Sequence, residues 1–175
     1  MSLPIYKIDH YPEFDQLKSF VLDFFSQMQK EFPEEMAQNQ VALQTSKNST
    51  DRFHSCVRLQ YGYNEIDYDT LLPELVNSPI DLLLRYLKIP IYRLRIIRRE
   101  PSSFYKIHVD GLPRVHLPIL SHENCAMLFP TVDFMKSMNA DGSVYIMNSK
   151  IPHTFVNWGQ LPRLHLVATT SDDKI

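Results

Sequence analysis

Five of the seven histidines in this 175-residue chain (His108, His116, His122, His153 and His165) fall within 58 residues. Two of them sit in well-defined surroundings, His108-Val109-Asp110 and Pro152-His153-Thr154-Phe155-Val156-Asn157. On a strand, residues i and i+2 project from one face, so the His108 imidazole and the Asp110 carboxylate can converge on one point. A third ligand from a distant strand would complete a two-histidine, one-carboxylate set, which holds Fe(II) with open positions for co-substrate and dioxygen. The triplet is short, and a surface pair or a strand-end turn at Asp110-Gly111 accounts for it as well when it is read alone.

The residues that follow add to it in order. Arg114-Val115-His116-Leu117-Pro118-Ile119 reads as a strand with cationic or titratable residues on one face and aliphatic residues on the other. Gly142 to Asn148 then leads toward His153, and Arg163 lies ten residues beyond it. A hairpin at Gly159-Gln160 is expected to lay the Arg163 strand beside the His153 strand and aim Arg163 into the same cavity. A buried guanidinium is costly without a partner, and its fixed fork suits a bidentate carboxylate.

His108-x-Asp110, Arg114-x-His116-Leu117-Pro118-Ile119, Pro152-His153 with Asn157, and Arg163-x-His165-Leu166-Val167 together resemble the aspartyl/asparaginyl β-hydroxylase family. These are Fe(II)- and 2-oxoglutarate-dependent dioxygenases, and the pattern is nearest to the proline cis-3-hydroxylase-like members. The resemblance covers about residues 91–170. It implies a double-stranded β-helix, a cupin-like jelly-roll barrel, with His108, Asp110 and His153 as metal ligands. It further implies Arg163 as the clamp on the distal carboxylate of 2-oxoglutarate and His116 near the co-substrate's other carboxylate. Arg114 would face either the co-substrate or an acidic group of the substrate. The best-known aspartyl hydroxylases have glycine where this chain has Asp110, so the carboxylate here favours the ordinary triad and the amino-acid-hydroxylase branch. The implied reaction hydroxylates an amino acid, free or in a peptide, while dioxygen and 2-oxoglutarate yield succinate and carbon dioxide.

The elements that must position these residues are partly legible. Phe14, Leu17, Val21, Phe24, Phe25 and Met28 recur at helical spacing and predict a helix over 12–31. Ser78-Pro79 before Ile80-Asp81-Leu82-Leu83-Leu84 reads as an N-cap with proline at the first helical position. Short strands are expected at 40–45 and 53–59, then at 91–98, 104–110, 113–120, 124–129, 143–148, 153–158 and 162–169. Turn residues punctuate the later set, Gly111, Gly142 and Gly159 among them. The expected architecture is one mainly-β domain over 1–175. Residues 1–90 form a helical buttress packed on one face of a barrel core at 91–170.

Composition removes other classes. The four glycines are dispersed, so neither a dinucleotide fingerprint nor a phosphate-cradling loop is present. A net charge of −2 supplies no global attraction to nucleic acid or anionic membranes. Apolar runs are far too short to span a bilayer. Met1 to Lys7 lack the basic start and apolar stretch of a signal peptide, and Cys56 and Cys125 make no disulfide framework, so a cytoplasmic protein is expected. No serine sits in a glycine-flanked elbow, and no thiolates have zinc-site spacing.

The remaining residues carry plainer expectations. His165 shares a strand face with Arg163, His122 falls in a turn, and His10 and His54 read as structural. Asn157 either contacts substrate or holds a turn; Trp158 is core or rim, and Thr131 to Ala140 is either a lid or core filler. Arg85, Arg93, Arg95, Arg98 and Arg99 cluster ahead of the histidines. A solvated strand face is expected there, and its functional alternative is a docking patch for an anionic partner, with one arginine free to grip a substrate carboxylate. A non-catalytic cupin-like module using strand 93–99 is therefore the competing reading, and oligomeric state is left open.

Overall fold

The computed structural model describes residues 3–56 and 59–171. β1 (Ile5–His10) precedes α1 (Phe14–Glu31), and β2 (Gln40–Ala42), β3 (Gln44–Thr45) and β4 (Thr70–Leu71) follow before α2 (Pro79–Tyr86). The strand-rich half holds β5 (Tyr92–Arg99), β6 (Ser103–Phe104), β7 (Arg114–Leu120), β8 (Cys125–Phe129), β9 (Phe134–Lys136), β10 (Ser143–Met147), β11 (Thr154–Asn157) and β12 (Arg163–Thr169). A six-stranded sheet, ordered β1-β10-β7-β12-β5-β2, faces a four-stranded sheet, β6-β11-β8-β9; β3 and β4 form a separate pair. All strand pairs are antiparallel. This is the expected mainly-β double-stranded β-helix with helices on one outer face. Among the described residues no helix is long and apolar enough to cross a membrane.

Strand alternation divides the large sheet into two unlike faces. Leu94 and Ile96, Val115, Leu117 and Ile119, and Leu164, Leu166 and Ala168 point outward. They bury against Leu17, Val21, Phe25 and Met28 of α1 and Ile80 and Leu83 of α2. Each such side chain contributes about 1.5–3 kcal/mol of burial, which makes this layer the main source of cohesion. α2 starts as expected, with the Ser78 hydroxyl accepting from the Ile80 amide at 3.2 Å and Pro79 in the first turn. The opposite face carries Arg95, Ile97 and Arg99 of β5, His116 of β7 and Arg163 of β12, all lining the space between the sheets.

Several expectations differ from the structure. β1 was not anticipated; it pairs with β10, and Gly142 makes the join possible. Gly142 has φ +89°, and a Cβ there would lie 2.9 Å from the Tyr11 carbonyl oxygen. Gly111 has no comparable constraint, since an added Cβ meets nothing within 4 Å. The expected strand at 53–59 is absent: residues 53–56 form turns and bends, and 57 and 58 lie outside the described residues. Regular pairing of the expected strand 104–110 stops at Phe104, leaving an isolated bridge at His108. β11 and β12 are not hairpin partners. The Gly159-Gln160 turn carries the chain from the small sheet to the large one, where β12 pairs with β5 and β7.

Candidate metal centre

His108 and His153 form that isolated antiparallel bridge, exchanging backbone hydrogen bonds of 3.0 and 2.9 Å. Directly opposed residues of such a pair project to the same side. The two imidazole centroids therefore lie only 4.4 Å apart. Asp110, two residues past His108, is anchored by its amide to the Ser149 carbonyl at 2.9 Å. One ligand atom from each of His108, Asp110 and His153 lies within 4.8 Å of the other two. The i, i+2 convergence read from the sequence is thus realised, with the third donor supplied across the bridge.

The tautomers follow from hydrogen bonding. His108 Nδ1 lies 2.8 Å from the Lys106 carbonyl and His153 Nδ1 lies 2.9 Å from the Ile151 carbonyl. A carbonyl oxygen only accepts, so each Nδ1 carries a proton, and in the neutral ring that leaves the lone pair on Nε2. Burial, together with the neighbouring His108, keeps the His153 imidazole below its ordinary pKa and hence neutral, although the Ile151 carbonyl opposes this. Two imidazoles presenting Nε2 and a carboxylate fit a divalent first-row metal, and the two carbonyls fix the ring orientations.

Arg114 positions the carboxylate. Its Nε donates to Asp110 Oδ2 at 3.1 Å, and Nη2 lies 3.0 Å from Oδ1. Its Nη1 reaches Glu65 Oε2 and Thr169 Oγ1, each at 2.6 Å. Four of the five Arg114 N–H donors are spent on these protein acceptors, which leaves one Nη2 N–H for either role expected of it, toward co-substrate or toward substrate. Glu65, unnoticed in the sequence, also accepts from Arg93 Nη1 at 2.6 Å. Burial resists ionisation of Glu65, yet hydrogen bonds and charge from Arg114 and Arg93 outweigh it and hold the carboxyl below its usual range. Glu65 opens a 3₁₀ turn over Glu65–Asp67, far in sequence from either arginine, so no local pattern announces it.

Behind the ligands lies a cavity of about 330 Å³. Arg163, 4% exposed, lines it, with its guanidinium carbon 4.2 Å from the Phe155 ring centroid. Because β12 sits in the other sheet, Arg163 faces the His153 strand across the cavity, not beside it. It contacts His165, whose Nε2 accepts from Arg163 Nε at 2.9 Å, and it has no carboxylate partner among the described residues. Burial without a counter-charge lowers its pKa to about 9. His165 is held neutral by burial and the adjacent guanidinium. His116 is buried with neither ring nitrogen hydrogen-bonded, and burial followed by Arg163 and Arg114 keeps it well below its ordinary pKa. Buried polar atoms without partners are rare in native proteins, and here an anion entering the cavity would satisfy the one N–H donor of the neutral His116 ring.

The arginines of β5 are a correction. Arg93 and Arg95 are 5% and 7% exposed and face the cavity, so the strand presents neither a solvated face nor a docking surface. Arg93 has φ +53°, a conformation uncommon for a residue with a side chain. It is held by its amide to the Tyr68 carbonyl at 2.7 Å, by Nε to the Ser55 carbonyl at 3.0 Å, and by Glu65. The other candidates are structural. Asn157 Nδ2 donates to the Glu100 and Leu161 carbonyls at 3.1 and 2.9 Å, and its Oδ1 accepts from the Gly159 amide, which is the turn-holding role. His122 braces the same loop through the Leu161 carbonyl at 2.9 Å. Trp158 is a half-exposed rim residue donating to Asn124 at 3.0 Å. Met138 fills the inner core, while Met135 lies exposed on edge strand β9.

No protein-family model matches the chain, and no curated protein matches it. Solved structures do. A prolyl-4-hydroxylase from Pseudomonas putida is 12% identical, with 95% of this chain and 91% of that one covered and a TM-score of 0.52. An oxidoreductase of the 2OG-Fe(II) oxygenase family from Burkholderia pseudomallei is 16% identical, with 95% and 83% covered and a TM-score of 0.53. AviO1 from Streptomyces viridochromogenes Tue57 is 9% identical, with 98% and 90% covered and a TM-score of 0.56. At these identities the likeness is one of fold, the double-stranded β-helix that 2OG-Fe(II) oxygenases use. It does not by itself show the aspartyl/asparaginyl β-hydroxylase family that the motifs resemble.

Proposed function

We propose that the protein is an Fe(II)- and 2-oxoglutarate-dependent dioxygenase that hydroxylates an amino acid, free or in a peptide, in the reducing cytoplasm. The observation that carries this reading is the convergence of His108, Asp110 and His153 on a cavity that the uncompensated guanidinium of Arg163 also lines. When bound, the iron supplies dioxygen activation coupled to oxidative decarboxylation of 2-oxoglutarate and hydroxylation of a nearby C–H bond. His108 and His153 contribute Nε2 donors, and Asp110 contributes an oxygen oriented by Arg114. Arg163 takes the distal carboxylate of 2-oxoglutarate, and the neutral His116 offers its single N–H to a co-substrate oxygen. Phe155, Met127, Met147 and Ile97 line the remaining wall and keep water out.

Anaerobic addition of Fe(II) and 2-oxoglutarate is expected to produce the weak visible charge-transfer band of the chelate. Admission of air is then expected to produce succinate, at least uncoupled from substrate, with His153→Ala inactive. Full succinate production by His153→Ala would overturn the assignment. The second reading, a non-catalytic barrel that binds a small carboxylate, is favoured by the same unpaired Arg163, and absence of the band would select it.

A further inference from the structure

The charge within the cavity exceeds what the proposed co-substrate can neutralise. Five guanidinium groups line it, those of Arg93, Arg95, Arg99, Arg114 and Arg163. Glu65 is shared by Arg93 and Arg114, and Asp110 is bound by Arg114. Arg99 and Arg163 are register partners on β5 and β12, so one carboxylate can lie between them. Arg95 is left over. Among the described residues its one polar contact is Nη1 to Gln40 Oε1, a long 3.3 Å, and its buried Nε has no partner. Arg95 pairs in register with Val167, four residues along β5 from Arg99. Four residues of strand span about 13 Å between Cα atoms, so Arg95 enters the cavity from a different point of β5 than Arg99, and one carboxylate between Arg99 and Arg163 leaves the Arg95 Nε without a partner.

We propose that Arg95 is the binding residue for the carboxylate of the substrate, and that the substrate is a small free carboxylic acid of the amino-acid class, not a residue within a polypeptide. The inference rests on the dioxygenase reading above and narrows it. Burial decides between the two substrate forms. Arg95 is 7% exposed and walled by Arg93, Arg114 and Gln40, so a carboxylate must enter the cavity to reach it. A chain-internal residue has no α-carboxylate to offer. The cavity, about 330 Å³, lies at the small end of ligand sites and must also hold the co-substrate. The planar fork of Arg95 suits a bidentate carboxylate, and satisfying it removes a buried cation crowded by two others. Consistent with that crowding, burial first, then Arg93 and Arg114, lower the Arg95 pKa to about 9.

The test uses full-length protein loaded with redox-silent Mn(II) and saturating 2-oxoglutarate, followed by thermal melting with each free L-amino acid and with its C-terminal amide. At least one free acid is expected to raise the melting temperature while its amide does not. Arg95→Gln is expected to weaken binding of that acid at least about tenfold, with 2-oxoglutarate affinity changed less than about threefold. Arg95→Lys, which keeps the charge and loses the fork, should fall between and guards against a folding defect in the first variant. The proposal is overturned if no free acid shifts the melting point, if amides shift it equally, or if both variants bind the acid as wild type does. It also falls if Arg95→Gln loses 2-oxoglutarate to the same degree, since Arg95 would then belong to the co-substrate. If wild-type protein fails to bind 2-oxoglutarate but binds an acid in an Arg95-dependent way, the dioxygenase reading fails and the carboxylate site stands.

Discussion

Arg163 and Arg99 are directly opposed residues of β12 and β5, and neither guanidinium has a carboxylate partner among the described residues. Arg99 is steadied over the Tyr105 ring at 4.2 Å and Arg163 over that of Phe155 at the same distance. Aromatic faces offset part of the cost of burying a cation but do not neutralise it. The pair is thus an uncompensated positive charge held at some expense to the fold, and in the reading proposed above it receives one anion.

That expense makes Arg163→Met informative. Replacing an unpaired buried cation with an apolar side chain of similar length should raise the melting temperature of the ligand-free protein by about 3 °C or more. The same change should weaken 2-oxoglutarate binding by about 30-fold or more, because a buried charged contact is lost. Calorimetry and melting on one preparation read both. Unchanged co-substrate affinity would remove Arg163 from the binding site.

The pH dependence has a definite sign. With a folded pKa of about 9, Arg163 loses its charge as pH rises through that value, so 2-oxoglutarate affinity should decline above about pH 9. The unfolded chain keeps this guanidinium protonated to a much higher pH. Between the two values the unfolded state binds more protons, so this group adds to ligand-free stability as pH rises. On the acid side Glu65 has the same slope for a different reason: its folded pKa is depressed, so its stabilising contribution is present above about pH 4.3 and is lost as pH falls. Denaturant melts from about pH 2 to about pH 10 should show both limbs. A ligand affinity that is flat through pH 10 would contradict the assignment of Arg163.

Glu65→Gln removes the carboxylate shared by Arg93 and Arg114. Breaking a buried ion pair from one side costs about 3 kcal/mol or more. Arg114 also orients Asp110, so Mn(II) affinity should fall by about tenfold or more, the scale on which partners of a metal ligand act. Urea denaturation and metal titration measure the two effects. Loss of stability with metal affinity intact would mean that Arg114 holds Asp110 without help from Glu65.

The glycines separate by conformation. Gly142→Ala places a side chain at φ +89° against the Tyr11 carbonyl and should cost about 2 kcal/mol or more. Gly111→Ala, beside Asp110 yet open on all sides, should lie within about 1 kcal/mol of wild type. Equal effects in denaturant melts would contradict the geometry.

Sequence alone determined the parts of this protein that obey local rules. Alternation along 114–120 and 163–169 separated an apolar face from a titratable one, and the two-residue spacing of His108 and Asp110 placed both on one side of the chain. Helical periodicity located α1, with its start within two residues, and Ser78-Pro79 located the start of α2. Tertiary structure decided whatever depends on partners distant in the chain. The His108–His153 bridge aligned two imidazoles across 45 residues, and the turn after Asn157 crossed between sheets because β12 found its hydrogen bonds on β5 and β7. Arg93 and Arg95, whose alternation with Leu94 and Ile96 suits a wet face equally well, were turned inward because α1 and α2 cover the other side of the sheet. Alternation states that two faces differ; only the packing of the helices decides which of them meets solvent. Glu65 shows the same limit, since its two arginine partners lie 28 and 49 residues away and only the closed fold brings them together.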